Sequence, residues 1–267
     1  MKLLNETEVK NYQLYILDEV DKYCKANGIS YYLSYGTLIG AVRHKGYIPW
    51  DDDIDIVMRL EDYDRFISGF NSNKNNVFVN HINVDKNWTY PYAKIYHTDT
   101  LLDEKSDFPY KDIGVNIDLF PICSFPNDPK QQKSIINKAK VLYYIQTLKL
   151  VKINSKRSLY KNLILMIGKV LFAAIPFSYI TKKIEGLVRK NYIGNYIVCP
   201  CGGLVGNSLD FVDEKVFSET IEVEFEGKIY PAPIGTDAWL RNVYGDYMKL
   251  PPIEKQVTHH AYKAYVK

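Results

Sequence analysis

The stretch that most constrains this chain is an acid-apolar alternation, Asp53-Ile54-Asp55-Ile56-Val57. Read as a strand over Asp53–Met58, it places Asp53, Asp55 and Val57 on one face and Ile54 and Ile56 on the other. One face then belongs to a core, while the other carries two crowded carboxylates. Such crowding is costly unless a cation neutralises it. Hard divalent ions such as Mg²⁺ suit the arrangement, with substrate phosphates completing their shell. The opposing reading is a solvated turn, since Asp51 and Asp52 precede the run; the interleaved Ile and Val argue against it. Upstream lies Gly36-Thr37, followed by a helix-like stretch from Leu38 to His44. A Gly-Thr pair alone is an ordinary turn. Turn, helical spacer and acidic strand in that order form a far more specific pattern.

That order resembles the nucleotidyltransferase superfamily, in which a Gly-Ser/Thr turn opens a helix beside a metal-binding strand. The fuller wording, Gly46-Tyr47-Ile48-Pro49-Trp50-Asp51-Asp52-Asp53-Ile54-Asp55, resembles one branch, the LicD family of phosphocholine transferases. Fukutin-related phosphosugar transferases share the wording. A second motif, Val115-Asn116-Ile117-Asp118-Leu119-Phe120-Pro121, is similar to one in LicD relatives and sets Asp118 within an apolar strand. The resemblance runs from Ile29 to Pro121, with a fainter echo over residues 238–252. It implies a Mg²⁺ (or Mn²⁺) site made by Asp53, Asp55 and Asp118. It also implies transfer of a phospho-alcohol, typically phosphocholine, from a CDP-activated donor such as CDP-choline to a sugar hydroxyl, with release of CMP. The acceptor would be a cell-surface glycan precursor, a teichoic acid or a lipid-linked oligosaccharide. A true nucleotidyltransferase, adding a nucleotide to a small molecule or protein, is the competing enzyme reading. A non-catalytic membrane scaffold is a third, and intact acids at all three positions speak against it.

Hydrophobic periodicity predicts helices over Glu6–Asn27, Glu61–Phe70 and Thr236–Tyr244, and helical composition fills Pro129–Asn154 and Ser158–Tyr192. Asn27-Gly28 is a helix stop. Strands are expected at Ser30–Ser34, Val77–Asn80, Pro91–Thr98 and Ile113–Phe120, the last ended by Pro121. A hairpin is expected over Glu222–Tyr230, turning at Glu226-Gly227. Elements are intermixed without a regular βαβ repeat, so the expected class is α+β: a nucleotidyltransferase-like mixed β-sheet core with packed helices. Three parts are expected. Residues 1–128 form the catalytic core, 129–195 a basic helical insertion, and 196–267 complete the domain.

The insertion stands out by charge. Between Lys130 and Lys190 there are 14 Lys and Arg and one acid, Glu185, whereas the whole chain has a net charge of only +3. Such a segment favours a polyanionic or membrane partner. No nucleic-acid recognition motif accompanies it. Leu163–Ile180 is strongly apolar, yet short of the ~20 residues a transmembrane helix needs. It reads either as an interfacial helix at an anionic membrane, flanked by Lys161, Lys182 and Lys183, or as a buried helix hairpin. Met1–Asn11 lacks the apolar centre of a signal peptide. Cys24, Cys123, Cys199 and Cys201 fit neither a zinc pattern nor a disulfide framework. These features predict a cytoplasmic protein, peripheral on the inner face of the membrane. Cys199-Pro200-Cys201 reads as a buried loop pair, with metal binding as the alternative.

Several further residues are candidates for the donor. Gly36 allows backbone to approach a phosphate, Thr37 offers a hydroxyl, and the helix N-terminus adds partial positive charge. Arg43 is either a bidentate diphosphate clamp or a surface cation. His44 either binds phosphate or relays a proton, or packs near Trp50. Lys94 is implied by the resemblance to contact phosphate; read alone, it is an edge-strand gatekeeper. Asp118 is a candidate base as well as a ligand. Asp51 and Asp52 are expected to shape the loop, and His259 and His260 fall near the family's usual C-terminal histidine.

Overall fold

The computed structural model describes residues 1–72, 75–104, 113–151, 153, 158–190, 192–204, 209–258 and 262–267. His259 and His260 lie outside the described residues. The chain opens with β1 (Lys2–Leu3), α1 (Glu6–Asn27), β2 (Tyr32–Leu33) and α2 (Tyr35–His44). Then come β3 (Asp55–Arg59), α3 (Leu60–Gly69), β4 (Val77–Asn80), β5 (Ala93–His97), β6 (Thr100–Glu104) and β7 (Asn116–Phe125). Three helices follow, α4 (Pro129–Leu150), α5 (Leu159–Leu171) and α6 (Phe177–Val188). The last part holds β8 (Tyr196–Val198), β9 (Phe211–Asp213), β10 (Thr220–Phe225), β11 (Lys228–Pro233), α7 (Thr236–Tyr244) and β12 (Tyr262–Val266).

The central sheet is mixed, in the order β2-β3-β7-β5-β4. Its one parallel pair is β3 with β7; β2, β5 and β4 join antiparallel. This is the expected α+β class. The core beneath the sheet draws on Ile54, Ile56, Val79, Ile95, Ile117 and Leu119, all buried, against the apolar stripe of α1. That helix begins with a reciprocal Asn5–Glu8 capping box and stops at Gly28, whose φ of 59° is left-handed. No described helix is long and apolar enough to cross a membrane.

Three sequence expectations need correcting. The strand at the acids starts at Asp55, so Asp53 belongs to the loop before it rather than to the pleat. Helix α2 starts at Tyr35, placing Gly36 and Thr37 in its first turn instead of ahead of it. Pro121 does not end its strand. The amide of Asp118 points towards β3, donating to the Ile54 carbonyl at 2.8 Å, so the amide position of residue 121 faces the opposite neighbour. On that side β5 has ended opposite Leu119, and β8 begins only at Cys123. The missing N–H therefore falls in a gap between two partners, where no ladder bond is lost.

The C-terminal part braces the loop that carries the aspartates. The β10–β11 hairpin turns at Glu226 and Gly227 with φ of 51° and 73°, the double left-handed signature of a tight type I′ turn. Glu226 then meets the loop after α2: its amide donates to the Lys45 carbonyl at 2.9 Å, and its carboxylate accepts from the Tyr47 amide at 2.9 Å. Helix α7 locks the start of α2 through Trp239, whose indole donates to Ser34 Oγ at 3.0 Å.

The apolar stretch from Leu163 to Ile180 spans two helices: α5 ends at Leu171, and Pro176 is the N-cap of α6. Helix α6 is buried along Ile180, Ile184, Leu187 and Val188. It is tied to the core by a charged network. Arg189 bridges Asp64 (2.7 and 2.8 Å) and Glu185 (2.8 Å), and Glu185 lies 3.2 Å from His81. Burial works to raise the Glu185 carboxyl, but its bonds to His81 and Arg189 bring it below the usual range.

Candidate active site

Sheet register assembles the site. Asp55 on β3 pairs directly with Asp118 on β7, and Asp118 pairs with Lys94 on β5. Directly paired residues share a face, so the three side chains form a row across three strands. Lys94 Nζ donates to Asp118 Oδ1 at 2.6 Å and to Asn116 Oδ1 at 3.0 Å. It also stands over the rings of Tyr90 and Tyr92, 5.0 and 5.7 Å from their centroids. Tyr92 stands beside Asp118 as well: burial first, then the Asp118 charge, raise its phenol well above the ordinary range. Asp118 is thus fixed by Lys94, and Lys94 is a paired interior cation rather than a strand-edge guard.

The aspartate loop closes over the row from the other side. Carboxylate oxygens of Asp51, Asp52 and Asp53 lie within 4.8 Å of one another. Asp53 and Asp51 act electrostatically on Asp55, and so does Asp118. Burial first, then these three anions, push the Asp55 carboxyl well above the ordinary carboxylate range; Lys94 opposes them. Asp51 thus acts on Asp55 beside Asp53, and Asp52 between them is buried, its backbone carbonyl accepting from Gln13 Nε2 at 2.8 Å.

Helix α2 meets this cluster end-on. Tyr35 has a φ of 47°, a left-handed value unusual for a tyrosine, which turns the chain sharply from β2 into the helix. Such a conformation costs about 1–3 kcal/mol and persists only where the surroundings hold it. Here Tyr35 is buried against Phe120 and Trp239. The turn brings Thr37 Oγ1 under the Asp55 amide, accepting at 2.8 Å. It also brings Gly36 so near the loop that a Cβ there would lie 2.5 Å from Asp51 Oδ2. The positive end of the α2 dipole therefore points into the acids.

Two expected donor residues are not brought to this row. Arg43 and His44 sit in the last turn of α2, roughly 9 Å along the axis from Thr37 at ~1.5 Å per residue. Arg43 donates to the Tyr247 carbonyl at 2.5 Å and to His44 Nε2 at 2.9 Å. Burial and the Arg43 charge lower the His44 pKa, consistent with a neutral imidazole accepting that bond. Both residues tie α2 to the chain after α7. Cys199 and Cys201 are buried free thiols, as are Cys24 and Cys123. Burial pushes Cys199 up to about 12 and raises Cys201 as well.

Sequence reading passed over Asn116, Tyr92 and Gln13. Asn116 and Tyr92 precede Asp118 and Lys94 by two residues, so strand periodicity alone places them on the same face. Gln13 is the one amide in the buried stripe of α1, and it also accepts from the Tyr47 hydroxyl at 3.0 Å. A polar side chain at an apolar stripe position was the available signal.

Four carboxylates, one lysine and a helix N-terminus make a fitting set for a divalent cation. Burial raises the Asp55 carboxyl first, and the added push from Asp53, Asp118 and Asp51 is the part that a hard oxygen-seeking ion would relieve. Comparison with known proteins gives a family context. Residues 28–132 match the LicD/FKTN/FKRP nucleotidyltransferase domain. Over 275 aligned residues, covering 100% of both chains, the protein is 31% identical to the lipopolysaccharide cholinephosphotransferase LicD of Haemophilus influenzae. It is 29% identical over 108 residues to the human ribitol 5-phosphate transferase FKRP, covering 32% of this chain and 22% of that one. An uncharacterized protein of Rickettsia typhi is 37% identical over 68 residues, 22% of each chain.

Proposed function

The chain belongs to the LicD family, and on that premise we propose that it transfers phosphocholine from CDP-choline to a hydroxyl of a cell-surface glycan precursor, releasing CMP. More broadly, it is a phosphotransferase handling a phosphorylated alcohol. The Haemophilus relative is named for choline phosphate and the human one for ribitol 5-phosphate, two cargoes of that kind. The observation that carries the proposal is the side-by-side pairing of Asp55 and Asp118 at the N-terminal turn of α2.

In this reading Asp53, Asp55 and Asp118, with Asp51 beside them, would hold Mg²⁺ or Mn²⁺. Held there, such an ion would supply Lewis-acid polarisation of the phosphoryl group and charge to offset the donor phosphates. The protein supplies the rest. Lys94 keeps Asp118 in one orientation, so its carboxylate is aimed before substrate arrives. The first turn of α2 offers its partial positive charge to the donor diphosphate, with Gly36 keeping the approach narrow and Thr37 holding β3 in place. The acceptor hydroxyl forms a bond to the distal phosphorus, and the bond from that phosphorus to the CMP oxygen breaks. The hydroxyl's proton must leave, and the carboxylates of Asp55 and Asp118 are at hand to take it.

Incubation with Mg²⁺ and a panel of nucleotide-activated donors tests the proposal. CMP release from CDP-choline in the presence of a glycan acceptor supports it. Pyrophosphate release from a nucleoside triphosphate would point to nucleotidyl transfer and overturn it.

A further inference from the structure

Helix α5 turns the usual amphipathic rule inside out. Of its 13 residues, Gly168 alone is buried. Leu159, Val170 and Leu171 are 89%, 73% and 70% exposed. Tyr160, Leu163, Ile164, Ile167, Val170 and Leu171 recur at helical spacing, so they make one continuous apolar face, and all are exposed. The buried-hairpin reading of this stretch therefore fails for α5, although α6 satisfies it.

This helix is firmly held. Gly168 packs on Leu148 of α4, and Lys169 Nζ donates to the Lys149 carbonyl at 2.7 Å. In return Lys149 Nζ caps the chain after α5, donating to the carbonyls of Phe172 at 2.8 Å and Ile175 at 2.7 Å. Two lysines thus fix the helix with its apolar face outward.

Beside it runs a groove of about 810 Å³ between α4 and α6, with Val141, Leu142 and Leu187 on its floor. Lys138, Lys182, Lys183 and Lys190 line it, and all four are exposed. On α4, residues 134, 138, 141 and 148 fall on one side of the helix, so the groove and the attachment point of α5 lie along one edge. The only acid between residues 130 and 190 is Glu185, and it is buried in its bonds to Arg189 and His81.

We propose that α5 and the lysine groove together form a docking surface for an anionic phospholipid bilayer. An apolar face rimmed by ammonium groups, with no exposed carboxylate from its own segment, matches the layering of acyl chains beneath anionic headgroups. At ~1.5 Å per residue α5 is about 20 Å long, too short for a ~30 Å hydrocarbon core but suited to lying in its interface. A second copy of this chain would present the same positive surface, and like charges oppose that pairing. The inference is independent of the reaction proposed above, because it rests on elements outside the carboxylate row.

Flotation of the full chain with vesicles of phosphatidylglycerol, and of phosphatidylcholine as control, tests it. The protein should float with phosphatidylglycerol at low salt, float poorly with phosphatidylcholine, and retain part of its binding as salt rises. The doubly substituted chain Leu163→Glu, Ile167→Glu, altered only at exposed positions, should lose binding more than tenfold with an unchanged circular dichroism spectrum. Lys182→Glu with Lys183→Glu should lose at least as much, since each near-surface lysine is worth about fivefold. Leu163→Trp provides a readout that needs no loss of function: its added emission should shift to the blue on vesicle addition. Absence from the phosphatidylglycerol fraction at low salt would overturn the proposal. So would binding indifferent to both double variants, or a dimer that Leu163→Glu dissociates without any vesicle binding.

Discussion

Replacing Asp55 by Asn removes a charge from the carboxylate row while keeping its shape. The Asp55 amide keeps its bond to Thr37 Oγ1, and Asn occupies the same volume. Neighbouring strands lie about 5 Å apart, so two unit charges paired across them repel by about 3 kcal/mol at an effective dielectric near 20. Asp53, Asp118 and Asp51 repel Asp55, and Lys94 opposes them. The net gain on neutralising Asp55 in the ion-free protein is then about 2–3 kcal/mol at neutral pH. The sign follows from linkage. A carboxyl whose folded-state pKa is raised above its unfolded value, about 3.9, leaves the fold progressively less stable as pH climbs through that window. The variant lacks this loss. Thermal unfolding in EDTA should therefore show the two proteins alike near pH 4. Towards pH 8 Asp55→Asn should melt higher by about 5–10 °C, at a few degrees per kcal/mol. Millimolar Mg²⁺ should then raise the wild type more than the variant. A variant less stable than wild type in EDTA at pH 8, or an equal gain from Mg²⁺ in both, would refute the reasoning.

Two further substitutions probe the supports of the site. Thr37→Val should cost about 1–3 kcal/mol in urea unfolding, because the Asp55 amide loses its acceptor, whereas Thr37→Ser should be nearly silent. Arg189→Leu should cost about 1–3 kcal/mol, mostly by leaving the buried Glu185 with His81 alone while the half-exposed Asp64 contributes little, and Arg189→Lys should recover only part, since an ammonium cannot serve both as a guanidinium does.

The sequence was most legible where local signals and burial agreed. Helix α1 carries its own cap and stop, and it begins and ends where its periodicity and the Gly28 signal place it. The β10–β11 turn and α7 were equally local. Asp118 was legible as a charge inside an apolar strand, and its motif carried the family resemblance. What escaped depended on partners distant in sequence. Pro121 reads as a breaker until the gap between β5 and β8 is known. Arg43 reads as either a phosphate clamp or a surface cation, and its bond to the Tyr247 carbonyl, 204 residues later, leaves no trace in the local sequence. The short strands β1, β6 and β12 pair the two ends of the chain with its middle, and two or five residues of ordinary composition give no sign of it. Asp51 and Asp52 read alike as loop-shaping residues, because a run of adjacent acids does not reveal which of them acts on Asp55.

The most direct test of the account is to follow the bond that breaks in CDP-choline. A donor carrying ¹⁸O in the bridge between its two phosphorus atoms, incubated with Mg²⁺ and a glycan acceptor, yields products that mass spectrometry can sort. Attack at the distal phosphorus leaves the label in CMP and adds phosphocholine to the acceptor, and this is the predicted result. Label recovered in free phosphocholine, with the acceptor carrying CMP, would contradict it.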